Sequence, residues 1–344
     1  MKRTDRKMNC YLGIDTSNYT TSMALVNNEG QVLADERILL KVKKGMRGLR
    51  QSEALFQHIR NLPALSEKIM RAKENYGDFN IRAIGASSKP RPVEDSYMPV
   101  FLAGTNFGKT LSRIIGIPYF EFSHQEGHIE AIRHFNCPES EKFLTIHMSG
   151  GTTEIIEVDY NINYDNLYKV RKIGGSADIS IGQLLDRVGV SLGCDFPAGA
   201  QLDRWADDFQ KKGYDTSDKF KISPIKIKDF YFNLSGIESQ AQRAVKECIK
   251  SDSLSDKKYM AYKIFSEIAE CLLRLFRSLY EKNYHMIILA GGVSQSEFLR
   301  KKLLKNRKET LIRPVFGSYG GDNGVGIRDR KSTRLNSSHM TASR

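Results

Sequence analysis

The chain has 344 residues, of which 40% are hydrophobic and 27% are charged, and its formal net charge is +13 at pH 7. This composition is ordinary for a soluble globular protein, and the length indicates two domains rather than one core. No stretch approaches the run of about 18 apolar residues that a membrane span requires. The basic N-terminus lacks the apolar segment of a secretory signal.

Five cysteines lie at positions 10, 137, 194, 248 and 271. Their scattered spacing and odd number argue against a disulfide framework. We therefore expect reduced thiols and a cytoplasmic location, with no membrane partner.

The first part of the chain opens with three predicted strands, at 10–16, 20–26 and 31–40. A helix is predicted to begin near Ser52 as its N-cap and to be interrupted by Pro63. A fourth strand is predicted over 81–86.

The same order recurs later. Three further strands are predicted at 143–149, 152–158 and 166–173, followed by helix from about Asp178. A long amphipathic helix (258–282) precedes a buried strand that ends in glycines (285–292), and another helix follows it. The repeated order predicts two lobes of similar build.

These patterns define the expected domains. We predict a first lobe over 9–140 and a second over 141–328. The segment 329–344 is rich in Ser, Thr and Arg and has no periodicity, so we predict that it is disordered and resembles a non-native extension.

Three short turns that follow strands could carry chemistry. Asp15 ends a strand in "GIDTSN", where a carboxylate can face a metal or a phosphate-bound cation. The turn in "MSGGTT" offers backbone N–H groups to a phosphate, and "LAGGVSQSEF" sets glycines before a helix N-terminus. Each turn alone is more often plain topology, and neither a Rossmann fingerprint nor a P-loop spacing occurs.

The stretch "HQEGH" sets His124 and His128 one helical turn apart. A zincin-type protease needs a glutamate directly after the first histidine, and that position holds Gln125, so this class is disfavoured. Two imidazoles at this spacing could bind Zn or Fe with a third ligand, for which Asp322 is a candidate. They could equally be plain surface or capping histidines.

Two basic clusters stand out, "KVKKGMRGLR" at 41–50 and "RKKLLKNRK" at 300–308. Each fits a solvated basic surface as well as it fits a contact to nucleic acid.

Seven motifs now identify a resemblance. The chain is similar, from about residue 10 to 327, to the tRNA N6-adenosine threonylcarbamoyltransferase (TsaD) family, formerly labelled glycoprotease. In chain order the motifs are "GIDTSNYTTSMAL", "HQEGH", "SGGTTEI", "GQLLDRVGVSLGCDFPAGAQLDR", "FNLSGIES", "LAGGVSQSEFLR" and "GGDNG". The implied fold is α/β, two-lobed and of the actin/Hsp70/sugar-kinase type, a duplicated RNase-H-like fold.

The resemblance also implies site residues, with Asp15 as the catalytic carboxylate. The metal ligands would be His124, His128 and Asp322, holding one Fe²⁺ or Zn²⁺. The substrate contacts would be His147, Met148, Ser149, Gly150, Gly151, Asp186, Gly199 and Ser296.

The implied reaction transfers a threonylcarbamoyl group from threonylcarbamoyl-AMP to the N6 amine of the adenosine beside the tRNA anticodon. An unpaired anticodon-loop base can be splayed into a cleft for such chemistry. The implied partners are tRNA and either the proteins of a threonylcarbamoylation complex or a homologous chain. ATP with Mg²⁺ is an additional candidate ligand.

The chain departs from the family pattern at several positions. Tyr19 and Thr20 replace an acidic pair, Thr152 replaces a histidine, and Ser296 replaces an asparagine. A longer charged segment (87–99) stands where the family has a Gly-rich loop.

These departures leave three interpretations. The leading one is an acyltransferase acting on tRNA. The second is a catalytically impaired paralogue that binds nucleotide and metal and regulates the active enzyme. The third is a small-molecule kinase of the same fold, although kinases of this class do not need the histidine pair.

Overall fold

The computed structural model describes residues 7–17, 19–43, 49–92, 95–136, 142–160, 168–212, 220–251 and 253–316, without the side chains of 132–136, 250 and 251. Two β-sheets with packed helices make up this part of the chain. The predicted tail at 329–344 and the candidate ligand Asp322 lie outside the described residues.

The first sheet and its helices lie between Met8 and Asn136. In chain order they are β1 (Met8–Asp15), β2 (Thr20–Asn27), β3 (Val32–Leu39), α1 (Gln51–Met70), α2 (Ala72–Tyr76), β4 (Phe79–Lys89), α3 (Phe101–Ile115), β5 (Tyr119–Ser123) and α4 (His124–Asn136).

The second sheet follows. Its elements are β6 (Lys142–Met148), β7 (Thr153–Tyr160), β8 (Tyr168–Ser176), α5 (Ile181–Ser191), α6 (Gly199–Lys212), β9 (Ile227–Lys228), β10 (Tyr231–Phe232), α7 (Ser235–Ser251), α8 (Leu254–Tyr280), β11 (Met286–Ala290), a 3₁₀ turn (Gly292–Gln295), α9 (Glu297–Lys305), α10 (Arg307–Thr310) and β12 (Arg313–Phe316).

The two sheets share one topology. The first has the order β3-β2-β1-β4-β5, in which β1, β2 and β3 are antiparallel neighbours and β4 and β5 are parallel. The second repeats it as β8-β7-β6-β11-β12, with β10 and β9 added beside β8. The predicted doubled α/β architecture is therefore confirmed.

The central strand of each sheet and the long helix α8 contain many of the buried apolar side chains. The central strand of each sheet, β1 or β6, carries a nearly continuous buried run, as expected for a strand covered on both faces. The larger core lies around α8, which buries Phe265, Phe276 and their neighbours. Helix α4 contacts β4 and β5 of one sheet and β11 and β12 of the other, so it lies where the two sheets meet.

Helix α1 differs from its prediction at two points. Its N-cap is Arg50, without a side-chain cap, rather than Ser52. Pro63 does not end the helix, which continues to Met70. The proline ring is exposed, so the break in the hydrogen-bond ladder falls on the solvent side, while Leu62 and Leu65 pack into the core.

None of the helices in the described part of the chain combines the length and the apolar character needed to span a bilayer.

Asp178 joins the end of β8 to the start of α7. Its carboxylate accepts hydrogen bonds from the backbone N–H groups of Ile179, Leu234 and Ser235. Desolvation by itself would raise the pKa of Asp178, but these hydrogen bonds outweigh it and lower the pKa from 3.8 to about 2. The ionised form is therefore the one that caps α7.

We expect Asp178→Ala to lower the free energy of unfolding by about 1–2 kcal/mol at pH 7. Because the pKa is lowered on folding, the stabilisation is complete above pH 4 and is lost as the pH falls toward 2. Urea unfolding at pH 7 and at pH 3 should show the deficit of the variant shrinking at the lower pH. Glu29→Ala, at an exposed carboxylate in the β2–β3 turn, is the control, and an equal deficit at both pH values would contradict the assignment.

Candidate functional site

Asp15 lies at the end of β1 with its side chain fully buried. Its carboxylate accepts hydrogen bonds from the hydroxyls of Ser17 (2.8 Å) and Ser87, and it lies 3.0 Å from Nδ1 of His124. A carboxylate only accepts, so the proton of this contact sits on Nδ1. Asp15 therefore sets the orientation and the tautomer of the His124 ring.

The two histidines of the "HQEGH" stretch lie in the first turns of α4. Ser123 and Glu126 form a reciprocal cap: the backbone N–H and hydroxyl of Ser123 donate to the Glu126 carboxylate (2.7 and 2.9 Å), and the Glu126 N–H donates back to the Ser123 hydroxyl. This cap starts the helix at His124. Glu126 therefore caps a helix, which agrees with disfavouring a zincin. The S-x-x-E spacing of Ser123 and Glu126 is a sequence signal for this cap.

Three imidazoles meet beside this cap. The Nε2 atoms of His124 and His128 are 2.8 Å apart. His147, at the end of β6 in the other sheet, has its ring centre 5.1 Å from that of His128 and 6.3 Å from that of His124. One ligand nitrogen from each ring lies within 4.8 Å of the others.

This group fits a metal of the kind the resemblance implies. Imidazole nitrogen is a common ligand of Zn²⁺ and of iron, and Asp15 supplies the carboxylate that usually holds the second nitrogen of a ligating histidine. His147 was predicted as a substrate contact, and the structure places it with the predicted metal ligands. The third predicted ligand, Asp322, lies outside the described residues.

The turn between β6 and β7 lies next to His147. The Ser149 hydroxyl accepts hydrogen bonds from the N–H groups of Gly151 (3.2 Å) and Thr152 (3.1 Å), and the Thr152 hydroxyl contacts Nδ1 of His147 at 3.1 Å. The sequence predicts free N–H groups at this turn. Two of them instead stabilise the turn through Ser149, because a serine hydroxyl readily folds back on the two following residues.

Helix α5 packs directly on this turn. Its N-cap Ser180 forms a capping box with Gln183, and the Ser180 hydroxyl also donates to the carbonyl of Gly150 (3.1 Å). The N–H of Gly182 donates to the carbonyl of Ser149 (3.2 Å). The positive end of the α5 dipole is thus next to the turn, which favours an anion there.

Asp186 lies one helical turn further along α5. It accepts hydrogen bonds from the N–H groups of Ala198 (2.8 Å) and Gly199, at the start of α6. Burial raises the pKa of Asp186, and these N–H groups partly offset the rise. Asp186, which was predicted as a substrate contact, therefore also holds the "FPAG" turn.

Ser296 is the N-cap of α9. Its hydroxyl donates to the carboxylate of Asp203 in α6 (2.5 Å) and accepts from the N–H of Leu299 (3.1 Å). Asp203 also accepts from the N–H groups of Glu297 and Phe298. Ser296 thus ties α9 to α6, while its predicted substrate contact stays a prediction.

Tyr19 lies opposite the "FPAG" turn. Its ring packs edge-to-face on Phe196 with centres 5.0 Å apart. Desolvation and the nearby charge of Asp186 raise the pKa of Tyr19, against a hydrogen bond from the backbone of Leu49 that lowers it. The phenol is therefore neutral at physiological pH, unlike the acid that the family resemblance expects at this position.

An ion pair joins the two sheets beside the histidines. Arg91, in the charged segment after β4, contacts Glu154 of β7 at 2.9 Å, and Lys172 contacts the same carboxylate at 3.2 Å. Gln125 also donates to Glu154 (3.3 Å). This explains the glutamine of "HQEGH" as a contact between sheets, which sequence spacing alone could not reveal.

The basic cluster on α9 and α10 is partly paired. Lys301 contacts Asp207 (2.8 Å) and Glu297 (3.3 Å), and Arg300 lies over the ring of Phe316. In the first cluster, residues 44–48 lie outside the described residues.

Solved structures show the fold to which this arrangement belongs. HypF in its phosphate- and nucleotide-bound form matches with a TM-score of 0.55 at 14% identity, over 96% of this chain and 47% of that chain. Component A of (R)-2-hydroxyglutaryl-CoA dehydratase from Acidaminococcus fermentans matches with a TM-score of 0.54 at 13% identity, over 95% of this chain and 99% of that chain. The fold is thus the two-lobed α/β fold of the actin/Hsp70/sugar-kinase type.

Sequence comparison is more specific. A tRNA N6-adenosine threonylcarbamoyltransferase from Thermosipho melanesiensis is 27% identical over 88% of this chain and 87% of its own length. A tRNA N6-adenosine threonylcarbamoyltransferase from Fusobacterium nucleatum is 28% identical over 89% of this chain and 85% of its own length. The family model for TsaD, tRNA N6-adenosine threonylcarbamoyltransferase, matches residues 37–328. The chain therefore belongs to the TsaD family.

Proposed function

We propose that this protein transfers the threonylcarbamoyl group of threonylcarbamoyl-AMP to the N6 amine of the adenosine next to the anticodon of tRNA. Family membership supports tRNA threonylcarbamoylation. The observation that carries the finer assignment is the convergence of Asp15, the histidine group and the Ser149 turn at the junction of the two sheets.

The donor would lie along the wall formed by the Ser149 turn and α5. Gly150 and Gly151 have no side chains to obstruct a phosphate, and the α5 N-terminus favours its negative charge. We assign the nucleoside part of the donor to Asp186, Gly199 and Ser296, of which Asp186 lies in α5 and accepts a hydrogen bond from the N–H group of Gly199.

The metal site would be built from His124 and His128, with Asp322 as the third ligand that the resemblance implies. A metal held there would act as Lewis acid and template for the donor. Asp15 contributes by holding the His124 ring through Nδ1. We therefore assign Asp15 a positioning role in the proposed reaction.

The transfer depends mainly on how the N6 amine is positioned relative to the carbamoyl carbon. The N6 nitrogen forms a bond to the carbamoyl carbon, the bond from that carbon to the phosphate oxygen breaks, AMP leaves and an N6 proton is released. The adenosine amine is neutral and weakly basic, so the contribution we assign to the protein is to hold it against the face of the carbamoyl carbon.

A second candidate function has its own observation. Tyr19 and Thr20 stand where the resemblance expects acids, and the Tyr19 ring packs on Phe196. A paralogue of this kind would bind the adenylate and the metal and act as partner or regulator of an active family member.

The test is a transfer assay with the full chain, unmodified tRNA, threonylcarbamoyl-AMP and the partner proteins of the threonylcarbamoylation complex. Nucleosides from the digested tRNA are measured by mass spectrometry, with an active family member run in parallel. We expect modified adenosine from the wild-type protein.

The double variant Tyr19→Asp/Thr20→Glu separates the two functions. If the wild type forms no product while the parallel enzyme does, the transferase proposal fails. Product from the double variant alone would establish that the wild type is an impaired paralogue. Turnover by the wild type would exclude the paralogue interpretation.

A further inference from the structure

Side-chain contacts join the two lobes on both sides of Asp15. In the first sheet, β1 ends at Asp15 and lies between β2 and β4. Tyr19 directly precedes β2, and Arg91 follows the end of β4. Tyr19 packs on Phe196 of the second lobe, and Arg91 pairs with Glu154 of β7. These interlobe contacts therefore lie on either side of the strand end that carries the buried carboxylate.

The Glu154 carboxylate has partners in both lobes. Its side chain is only 5% exposed, and β7 places it directly opposite His147 of β6. From the first lobe, Arg91 contacts one oxygen at 2.9 Å and Gln125 donates to the other at 3.3 Å. From the second sheet itself, Lys172 contacts the carboxylate at 3.2 Å. Because a buried carboxylate depends on its partners more than a surface one does, separating it from Arg91 opposes opening of the lobes.

The segment that carries Arg91 is held against the first lobe by its backbone. The N–H group of Arg91 donates to the hydroxyl of Ser96 (2.9 Å). The carbonyl of Pro90 accepts a hydrogen bond from the N–H group of Gln125 in the first turn of α4 (3.0 Å). Arg91 thus extends toward Glu154 from an anchored backbone, so little further ordering is needed to form the ion pair.

Both interlobe contacts come from positions at which the chain departs from the family pattern. Tyr19 replaces an acid, and Arg91 lies in the longer charged segment (87–99) that replaces a Gly-rich loop. An acid at position 19 would have no ring to pack on Phe196, and a Gly-rich loop would offer no cation to Glu154. The departures therefore add attraction between the lobes in addition to removing acids.

We propose that the Arg91–Glu154 and Tyr19–Phe196 contacts hold the cleft closed in the ligand-free protein, so that a nucleotide enters and leaves only when they open. Lobes of this kind close around ligands by hinge motion, and contacts on both sides of Asp15 oppose that motion. Each contact shifts the balance of open and closed states by its own interaction free energy. The inference rests on the proposed donor site for the identity of the ligand alone.

Small-angle X-ray scattering of the ligand-free full chain tests the closed state. We expect Arg91→Gln/Tyr19→Ala to have a larger radius of gyration than the wild type, because neither interlobe contact can form. Arg91→Lys/Tyr19→Phe keeps a cation and a ring at these positions, so this matched control should scatter as the wild type does. Urea unfolding establishes that each variant is folded. An unchanged radius of gyration in folded Arg91→Gln/Tyr19→Ala would overturn the proposal.

Stopped-flow binding of a fluorescent N-methylanthraniloyl derivative of AMP measures how readily the cleft opens, with single variants that disturb the fold less. Arg91→Gln should raise both the association and the dissociation rate constants by about two- to fivefold, as expected for loss of a partly exposed ion pair. Their ratio should change little, because the contact is lost from the free and the bound protein alike. A higher dissociation rate alone would mean that Arg91 contacts the nucleotide and would overturn the proposal.

Lys172→Gln is the matched control for the rate measurements, because Lys172 contacts the same carboxylate from within the second lobe. It should leave both rate constants unchanged. Glu154→Gln should act as Arg91→Gln does, and combining the two should add nothing, since they remove one contact. Additive effects, or an equal effect of Lys172→Gln, would contradict the proposal. Failure of the AMP derivative to bind at all would count against the donor site, and the scattering comparison would still decide whether the cleft is held closed.

Discussion

Gly182→Ala is expected to disrupt the turn that we propose for the donor phosphate. A Cβ atom at position 182 would lie 2.4 Å from the carbonyl oxygen of Ser149 and 2.7 Å from Cα of Gly150. Both are backbone atoms, so either α5 or the turn must move. We expect a loss of about 1–3 kcal/mol in the free energy of unfolding and a loss of AMP affinity of about tenfold or more.

Isothermal titration with AMP and urea unfolding measure the two effects. Gly236→Ala is the matched control, because a Cβ atom there meets nothing within 4 Å. Gly236 lies in the first turn of α7, outside the helix interior where alanine is clearly favoured over glycine, so this variant should be close to the wild type in stability and bind AMP equally well. Wild-type AMP affinity in Gly182→Ala would show that the phosphate does not bind at this turn.

Asp15→Ala is expected to weaken metal binding through His124. The buried carboxylate accepts from the hydroxyls of Ser17 and Ser87 and holds Nδ1 of His124. Without it the His124 ring loses its fixed orientation, and metal affinity should fall about 10–100-fold. The donors left without their acceptor should lower the free energy of unfolding by roughly 3 kcal/mol.

Co²⁺ titration and the cobalt spectrum separate positioning from a general loss of stability. Asp15→Asn keeps one acceptor oxygen, so its metal affinity should fall between those of the wild type and Asp15→Ala. Ser17→Ala removes one hydrogen bond and leaves the carboxylate, so it should bind Co²⁺ almost as the wild type does. Equal Co²⁺ affinity and an equal spectrum in all four proteins would mean that Asp15 serves folding alone.

Local patterns accounted for much of the fold. Alternating and continuous apolar residues predicted three strands at the start of each half of the chain. They could do so because the burial pattern of a strand follows from residues within that strand. The cap formed by Ser123 and Glu126 was equally readable, since its partners are three residues apart. The expected interruption at Pro63 was wrong, because α1 continues through it to Met70 with the proline ring exposed.

The sequence by itself determined the doubled architecture, the family and the helical spacing of His124 and His128. The tertiary structure alone decided that His147 joins them, that Asp15 holds His124 and that Tyr19 packs on Phe196. The architecture, the family and the histidine spacing could be predicted because they depend on residues close together in the chain or on motif order. The contacts of His147, Asp15 and Tyr19 depend on how the two sheets pack around α4. That packing is set by burial between segments that are distant in sequence.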